Sequence, residues 1–494
     1  MTWKRPLLIY PYGPDKKSEK LYGGLAIINP IGLEVVAKAI RPLVEDLMLV
    51  DMRLETEPLE KLIAGFRPDL IGVSLNWGRD EYTDALIHAL PQETTLAIGG
   101  LHATRESDDV LREFPEMDIL AVGYGEDSMR DLLERGTPEG VAGLWFRRQA
   151  GMYPPGDRRS GLPTMGGELA KNPRRATLDV SHFHLDRSIR RYEYPWLTLK
   201  GDNVITSVGC PMVCAFCKWR ENIFGEVQPW IARPAEDVVA ELAETDATIV
   251  HIVDANFAHD PKRVERICDL LIERDIRHLY ACEIRVNALW KDPALVRKME
   301  QAGFFMFMVG IESYQPRLLK AMRKGYTVKM CREAFANLRQ TSILTLGNFL
   351  IGNPGETEGQ MIGIADFAAD LGLDFISPNK IYAYENTDFE QWVLAQPGYR
   401  VEGRRRYVVS DQFGVEDLRR LQARIMLRFF RKRPPWIAYR KALAHPMVAK
   451  IGREKIRRAM LRSLWNHIAD PHFRRRALKK LAKRFRRSPK AAAV

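Results

Sequence analysis

The chain has 494 residues, of which 46% are hydrophobic and 28% are charged. That length suits two to four domains with ordinary cores, and the composition is typical of a soluble globular protein. No apolar run reaches the roughly 18 residues that a membrane-spanning helix needs, and the first residues do not resemble a secretory signal. Six cysteines without a secretory segment argue against a disulfide framework. We therefore expect a cytoplasmic protein.

The net charge of +12 is concentrated at one end of the chain. Residues 451–494 hold 15 Lys and Arg against 2 acidic residues, an excess of +13, which leaves −1 for the other 450 residues. A neutral body predicts no nucleic-acid partner. Apolar residues from Phe473 to Phe485 share one helical face among many basic ones, which predicts a helix that contacts an anionic membrane surface. A solvated helix or a solubilising tail is the alternative.

Residues 1–150 alternate short apolar runs with amphipathic helical patterns. This alternation predicts a parallel, doubly wound, Rossmann-like α/β domain, which binds ligands beyond the carboxyl ends of its strands. No G-x-G-x-x-G fingerprint is present, so a dinucleotide is not expected. The predicted strands are Leu7–Tyr10, Leu47–Asp51, Leu70–Leu75, Thr95–Gly99, Ile119–Gly123 and Gly143–Phe146. The polar and glycine residues at their ends are Ser74, Asn76, Gly99, Gly100, His102, Gly123, Gly125 and Glu126.

Those end residues have a simpler interpretation as well. Glycines at strand ends often do no more than let the chain turn. A single histidine such as His102 is more often a loop residue than a ligand.

Residues 151–200 show little periodicity and are interpreted as a connector. A second series of βα units occupies residues 201–400, and residues 401–494 are predicted to be helical and basic. Six units are too few for a closed eight-fold barrel, so we predict a partial (β/α)6 TIM-type barrel. Helix starts are indicated by acidic residues and prolines at Pro234, Asp260-Pro261, Asp292-Pro293 and Glu356-Thr357. The predicted strands are Val204–Val208, Thr248–Val253, Leu279–Ile284, Phe305–Ile311, Thr345–Ile351 and Phe375–Tyr382.

Polar residues follow these barrel strands in succession. Because barrel chemistry takes place at the carboxyl ends of the strands, they are candidates for a shared site. The candidates are Cys210, Cys214 and Cys217, then Asp254, Arg285 and Glu312, and the loop from Gly352 to Glu356.

Three cysteines lie within eight residues, at Cys210, Cys214 and Cys217. A C-x3-C-x2-C cradle can hold three irons of a [4Fe–4S] cluster, which normally takes four thiolates, and would leave the fourth iron open to a ligand. A zinc site would need a fourth protein ligand close by, but no other Cys or His is near and the next histidine is His251. We interpret the other cysteines, Cys268, Cys282 and Cys331, as core residues.

This cysteine motif, with Phe216 inside it, resembles the signature of the radical S-adenosylmethionine (SAM) superfamily. The doubly wound domain, with Gly99-Gly100-Leu101-His102 and Gly123-Tyr124-Gly125-Glu126, is similar to the cobalamin-binding class of that superfamily. So are Gly310-Ile311-Glu312-Ser313 and the Gly352–Thr357 loop. The D-x-H-x-x-G signature is absent, so no histidine of that motif would ligate cobalt.

The resemblance implies three cofactors: a [4Fe–4S] cluster, SAM and cobalamin. It implies that the three cysteines bind the cluster. SAM would be bound by Phe216, Asp254, Arg285, Glu312, Gly352 and Glu356. Cobalamin would be bound by the eight strand-end residues of the first domain, from Ser74 to Glu126. Arg285 suits the SAM carboxylate through charge-assisted hydrogen bonds, and an ordinary ion pair with Glu283 or Glu312 is the alternative.

The implied function is that of a cobalamin-dependent radical SAM C-methyltransferase. A 5′-deoxyadenosyl radical would activate an unactivated carbon of a hydrophobic, lipid- or tetrapyrrole-like substrate, as in hopanoid methylases. The alternative is an oxidative cyclase or rearrangement enzyme that resembles the anaerobic Mg-protoporphyrin monomethyl ester cyclases, without methyl transfer. A cluster-carrying electron-transfer protein is a third possibility. The expected partners are a small hydrophobic substrate, a flavodoxin- or ferredoxin-type electron donor and, through the tail, the inner membrane face.

Overall fold

A computed structural model describes residues 3–13, 20–21, 26–147, 169–175, 178–385, 387–403 and 405–469. The predicted amphipathic helix around Phe473–Phe485 lies outside these residues. Among the described residues, no helix combines the length and the apolar character that crossing a bilayer requires.

The N-terminal domain is built on a seven-stranded sheet. Its first five strands are parallel, and two antiparallel strands extend one edge. The buried strands consist almost entirely of apolar residues, as expected for a sheet that is covered on both faces. The order across the sheet is Met48–Asp51, Pro6–Tyr10, Leu70–Ser74, Thr95–Gly99, Ile119–Ala121, Leu144–Arg147 and Leu169–Lys171.

This order places a topological switch point between the strands Pro6–Tyr10 and Leu70–Ser74, where the connections leave in opposite directions. Doubly wound sheets bind their ligands in the crevice that such a switch opens. The helices of this domain are Ile31–Ile40, Leu59–Phe66, Glu81–His88, Leu101–Arg105, Ser107–Glu113 and Gly125–Arg135.

The second sheet has nine strands. Six parallel strands follow one another in chain order, and three antiparallel strands continue the edge beside the first of them. A parallel sheet in simple succession curls into an open partial barrel. The predicted fold class is thereby confirmed. The strand order is Phe375–Lys380, Leu344–Ile351, Phe304–Glu312, Leu279–Ile284, Ile249–Ile252, Leu199–Val204, Tyr194–Trp196, Ala26–Ile27 and Lys20–Leu21.

The first barrel strand is Leu199–Val204, so the predicted range Val204–Val208 was wrong: Ser207–Val208 belongs to a separate two-stranded sheet. The strand contains the polar residues Asp202 and Asn203, and both are buried and hydrogen-bonded. Asp202 accepts from Arg187 and Arg190, and the side-chain amide of Asn203 donates to Asn29. Hydrogen bonds to residues from other parts of the chain thus allow these polar side chains inside a buried strand.

Helices cover the outer face of the barrel. Two begin where an acidic N-cap precedes a proline: the Asp260 carboxylate accepts from two backbone N–H groups, and that of Asp292 accepts from Leu295. The barrel helices are Ala235–Glu244, Pro261–Glu273, Val286–Lys291, Pro293–Ala302, Pro316–Ala321, Val328–Leu338, Glu358–Leu371 and Asp388–Leu394. The C-terminal helices are Val415–Lys432, Pro435–Ala444, Pro446–Ile451 and Arg453–Ala469. Small two-stranded sheets pair Ser207–Val208 with Ile231–Ala232 and Tyr399–Glu402 with Tyr407–Ser410.

A buried network of charges joins the two sheets. Glu34 belongs to the first helix of the N-terminal domain, Asp202 to the first barrel strand, and Arg190 to the segment between them. The Arg190 guanidinium donates to both Glu34 oxygens at 2.8 Å and to Asp202 at 2.9 Å. Because both carboxylates are fully buried, each depends on these partners for its charge. The segment from residue 178 to 200 is therefore a structural clamp between the domains.

Candidate active site at the domain junction

The three predicted cluster cysteines share one loop at the carboxyl ends of the barrel strands. Cys210 is buried, while Cys214 and Cys217 are partly exposed. A backbone hydrogen bond from Cys217 N–H to the Cys214 carbonyl shapes the turn between them. Burial, together with a smaller contribution from the neighbouring thiols Cys214 and Cys210, raises the pKa of Cys217 to about 11. Binding a metal at this thiol therefore releases a proton.

A single metal ion does not fit this loop. Within the described residues, no three His, Cys, Asp or Glu side chains converge on one point. An iron–sulfur cubane does not require convergence, because each thiolate binds a different iron. The donor set of three thiols thus fits a cubane better than zinc. The remaining cysteines, Cys268, Cys282 and Cys331, are buried in the barrel core.

Arg285 connects the cysteine loop to the neighbouring strand ends. Its Nη1 donates to the Cys214 sulfur at 3.2 Å, and its Nη2 donates to the Lys324 carbonyl at 2.6 Å. No ion pair with Glu283 or Glu312 forms; Glu283 instead faces His251 at 3.2 Å. The Nε of Arg285 is buried without a hydrogen-bond partner. These two contacts fix the guanidinium, and its Nε remains available as a donor for a ligand.

Glu312 occupies a strained position at the end of its strand. Its φ of 63° lies in the left-handed region, and the pairing with the next strand is irregular between Gly310 and Glu312. Non-glycine residues adopt this conformation at an energetic cost, and such strain is frequent at functional sites. The carboxylate is buried and accepts from the Lys324 ammonium at 3.1 Å. The β-bulge therefore aims this carboxylate at a lysine rather than into the sheet.

Asp254 positions the start of the cysteine loop. Its buried carboxylate accepts from Thr206 N at 2.7 Å and from the Thr206 and Ser207 hydroxyls at 2.6 Å. Burial raises the pKa of this carboxyl, while these hydrogen bonds lower it. Its acceptors are used within the protein, so Asp254 braces the chain that leads to Cys210.

Phe216 packs inward. It belongs to a small apolar cluster with Met322 and Phe389, and its ring centroid lies 6.4 Å from that of Phe389. The Lys324 ammonium lies 5.7 Å from the same ring. This side chain anchors the loop between Cys214 and Cys217 to the barrel.

Hydrogen bonds within the Gly352–Glu356 loop fix its conformation. The Glu356 carboxylate accepts from Asn353 N at 2.9 Å, from its side-chain amide at 2.8 Å and from Gln315 at 3.0 Å. Burial raises the pKa of Glu356 to about 7. A side chain at Gly352, where φ is 86°, would meet Leu418 of a C-terminal helix at 2.9 Å. In this arrangement the acceptors of Glu356 are used within the protein and stabilise the loop.

A cavity of about 250 Å³ lies at the carboxyl ends of the N-terminal strands. Gly100 adopts a φ of 105°, and a side chain there would meet the Leu75 carbonyl oxygen at 2.6 Å. The glycines thus bring bare backbone to the cavity wall. His102 is not among the residues that line it. Seven predicted residues line it: Ser74, Asn76, Gly99, Gly100, Gly123, Gly125 and Glu126.

The segment after the third cysteine also contributes to this cavity. Ile223 lines it, and the Phe224 ring packs so closely on Gly123 that a side chain there would meet it at 2.6 Å. Arg105 donates to the Asn222 and Ile223 carbonyls at 3.3 and 3.4 Å. No sequence motif predicts these contacts. Phe224 and Gly123 are far apart in the chain, and their contact is visible only in the folded structure.

Buried polar atoms without partners mark the barrel side of the site. They are Asn256 Oδ1, Arg285 Nε and Asn287 Oδ1, which all follow barrel strands or begin the next helix. Orphaned polar atoms at neighbouring strand ends fit a polar ligand such as SAM. The glycine-walled cavity likewise fits part of a corrinoid.

Comparison with known proteins finds two families that match separate segments of the chain. Residues 204–368 match the radical SAM superfamily, and residues 25–133 match the B12 binding domain. An uncharacterized methyltransferase of Pyrococcus horikoshii is 25% identical over 81% of this chain and 87% of its own length. The anaerobic magnesium-protoporphyrin IX monomethyl ester cyclase of Rubrivivax gelatinosus is 22% identical over 67% of this chain, which spans 60% of that relative.

Among solved structures, the fold is similar to that of the radical SAM methyltransferase TsrM from Kitasatospora setae. The TM-score is 0.60 at 17% sequence identity, with 85% of this chain and 81% of that chain covered. The chain therefore carries a radical SAM domain and a B12-binding domain. It is a cobalamin-dependent radical SAM enzyme, which confirms the predicted cofactors: a [4Fe–4S] cluster, SAM and cobalamin.

Proposed function

We propose that this enzyme transfers a methyl group to an unactivated carbon of a small, largely apolar substrate. The observation that carries the proposal is the segment Cys217–Phe224. It begins at the third cysteine and ends against Gly123 of the glycine-walled cavity. Seven residues span at most about 25 Å, so the third cysteine lies within about that distance of the cavity wall at Gly123. We propose that the two cofactor sites share the space between them.

The proposed ligands of the cluster are Cys210, Cys214 and Cys217. Arg285 and Glu312 are proposed to bind SAM, because Arg285 keeps a buried donor without a partner and Glu312 is held in a strained conformation beside Lys324. Asp254, Phe216, Gly352 and Glu356 are proposed to position the loops around SAM rather than to contact it, since their contacts are within the protein.

The glycine-walled cavity is proposed to receive one part of the cobalamin. At about 250 Å³ it is smaller than a typical ligand pocket, so the rest of the corrinoid would lie between the domains. Backbone at Gly99, Gly100 and Gly123 allows close approach, and Asn76 Oδ1, which accepts from Leu101 N at 3.1 Å, fixes that loop.

When bound, the cofactors supply a 5′-deoxyadenosyl radical from SAM at the cluster and a methyl group from cobalamin. The chain supplies position and shelter from water. Arg190 of the clamp, residues 178–200, holds the two domains in a fixed relative position. The packing of Phe224 on Gly123 closes one side of the space between them. A general base is not required of the residues described above.

A small-molecule substrate and an electron donor follow from radical SAM chemistry. We propose a flavodoxin- or ferredoxin-type donor, and contact of the basic C-terminal end with the inner membrane face.

The test uses anaerobically purified protein and SAM with a deuterated methyl group. The ultraviolet–visible spectrum should show the broad absorption of a cubane together with corrinoid bands. Incubation with a metabolite extract and reductant should yield 5′-deoxyadenosine and a compound that gains three deuterium atoms. A reaction that forms 5′-deoxyadenosine without labelled product would reject methyl transfer.

Oxidative cyclisation is the second candidate, favoured by the similarity to the Rubrivivax cyclase. It predicts one SAM consumed for each turnover, whereas methylation consumes two, and a product with no added methyl group. Quantifying 5′-deoxyadenosine and S-adenosylhomocysteine in the same reaction separates the two: S-adenosylhomocysteine forms only when SAM gives up its methyl group.

A further inference from the structure

A second cavity, of about 350 Å³, lies between the N-terminal domain and the segment after Cys217. Part of its wall is apolar, formed by Val122, Trp145 and Phe224. Its volume is within the range of small-molecule sites, which combine apolar walls with a few placed polar groups. The basic residues that line it are Arg105, Arg174 and Lys218.

The charges around this cavity do not balance. Lys218 lies 3.5 Å from Glu221, and Arg174 lies 3.5 Å from Glu226. Arg105 donates only to backbone carbonyls, at 3.3 and 3.4 Å, and forms no ion pair with any described residue. Two loose ion pairs and one unpaired guanidinium leave a net positive charge for an anion.

The cavity adjoins both proposed cofactor sites. Lys218 directly follows Cys217. Thr104 also lines the cavity, and its hydroxyl accepts from Gly123 N at 3.0 Å, while Gly123 lines the glycine-walled cavity. Phe224 lines this second cavity, whereas its neighbour Ile223 lines the other. A molecule bound here is therefore held next to the space where the chemistry is proposed.

We propose that this second cavity binds the acidic group of the substrate, a carboxylate or phosphate carried on an apolar body, with Arg105 as its main partner. This inference rests on the proposed function and narrows the substrate from hydrophobic to amphiphilic and acidic. Arg105 suits the role because a guanidinium offers paired donors to a planar or tetrahedral anion.

The test measures probe binding by titration calorimetry on the cofactor-loaded enzyme. The probes are 1-naphthoate and its neutral counterpart 1-naphthamide. We expect naphthoate to bind more tightly, and Arg105→Met to weaken naphthoate about 10- to 100-fold while leaving naphthamide unchanged. Arg105→Lys should retain part of the preference. Arg112→Met is the matched control, because Arg112 is exposed and pairs with Asp109 outside the cavity.

Equal affinity for the two probes, or the same loss in Arg112→Met, would overturn the proposal. The phosphate of the cobalamin nucleotide is the other source of an anion. If naphthoate competes with cobalamin but not with cobinamide, which lacks the nucleotide, the cavity holds the cofactor and the substrate assignment is wrong. Absence of 5′-deoxyadenosine with any substrate would contradict the proposed function alone, since selective naphthoate binding would still support an acid-binding pocket.

Discussion

At the scale of single residues, one arginine contacts the cysteine loop. Arg285 is the described residue whose side chain donates to a cysteine sulfur of the motif, at 3.2 Å from Cys214. The same side chain is fixed by the Lys324 carbonyl, so its direction does not depend on a bound ligand.

We predict that Cys214→Ala abolishes stable cluster binding. A cubane held by two thiolates leaves two irons without protein ligands, so iron and sulfide content after anaerobic reconstitution should fall to background. Cys331→Ala is the control, because Cys331 is a buried core cysteine outside the loop. Equal iron content in Cys214→Ala and in the unaltered protein would contradict the assignment.

Glu356 illustrates how a buried carboxyl links stability to pH. Burial raises its pKa from 4.5 to about 7. Between these pH values the folded protein therefore holds a proton at Glu356 that the unfolded chain has released. Its contribution to stability is therefore fully present below pH 4.5 and is lost as the pH rises towards 7. Two to three pKa units correspond to roughly 3 kcal/mol.

We predict that Glu356→Gln removes this pH dependence. The amide keeps an acceptor for Asn353 without the charge, so the melting temperature of the variant should fall less between pH 5 and pH 8 than that of the unaltered protein. Scanning calorimetry at the two pH values measures the difference. Parallel pH profiles would show that Glu356 is ionised in the folded state and that the raised pKa is wrong.

At the scale of secondary-structure elements, the buried charge network joins one helix, one strand and the end of a short 3-10 helix, Arg187–Ile189. Glu34, Arg190 and Asp202 come from these three elements, and Arg187 adds a second link from Asp202 to Glu241. Desolvation raises the pKa of Glu34, and Arg190 opposes that rise. Removing one partner of such a network leaves an uncompensated charge in the interior.

We predict that Arg190→Met destabilises the protein by about 3–5 kcal/mol, the usual cost of breaking a buried pair. The melting temperature should drop by several degrees, and Glu34→Gln in the same chain should recover part of the loss. Lys200→Met is the control, since Lys200 pairs with exposed acidic residues and such pairs contribute about 0–1 kcal/mol. A loss no larger than that of the control would show that the network does not join the domains.

At the scale of the whole molecule, the basic C-terminal residues 451–494 fall into two parts, one that packs on the barrel and one that follows the last described helix. Residues up to Ser463 pack on the barrel: Ile456 and Ala459 are buried, and Lys455 donates to Thr248 at 3.1 Å. Residues 470–494 hold ten basic residues and one acidic residue. A truncation that tests membrane contact should therefore begin at residue 470, so that the packed part of the helix Arg453–Ala469 is retained.

We predict that the chain without residues 470–494 no longer sediments with vesicles of phosphatidylcholine and phosphatidylserine, whereas the full chain does. Basic residues near an anionic surface contribute about 1 kcal/mol each, and added salt should weaken binding. Vesicles of phosphatidylcholine alone are the control. Equal sedimentation of both chains would exclude the C-terminal end as the membrane contact.

Much of the fold could be predicted from local patterns. Strands such as Thr95–Gly99 and Leu279–Ile284 coincide with the predicted ranges, because continuous apolar runs between helical patterns have few other interpretations. The start at Leu199 could not be predicted, since Asp202 is acceptable in a strand only beside Arg187 and Arg190, which belong to another part of the chain.

The sequence by itself determined the chemistry: three cysteines in one short loop, glycines at the ends of parallel strands, and the order of the two domains. These features are local, so spacing and residue type suffice to recognise them. Only the tertiary structure decided that Asp254 and Glu356 brace loops, that His102 does not line the glycine-walled cavity, and that Arg105 faces a second one. Those roles depend on which distant groups satisfy each buried polar atom, and that is settled only when the domains dock.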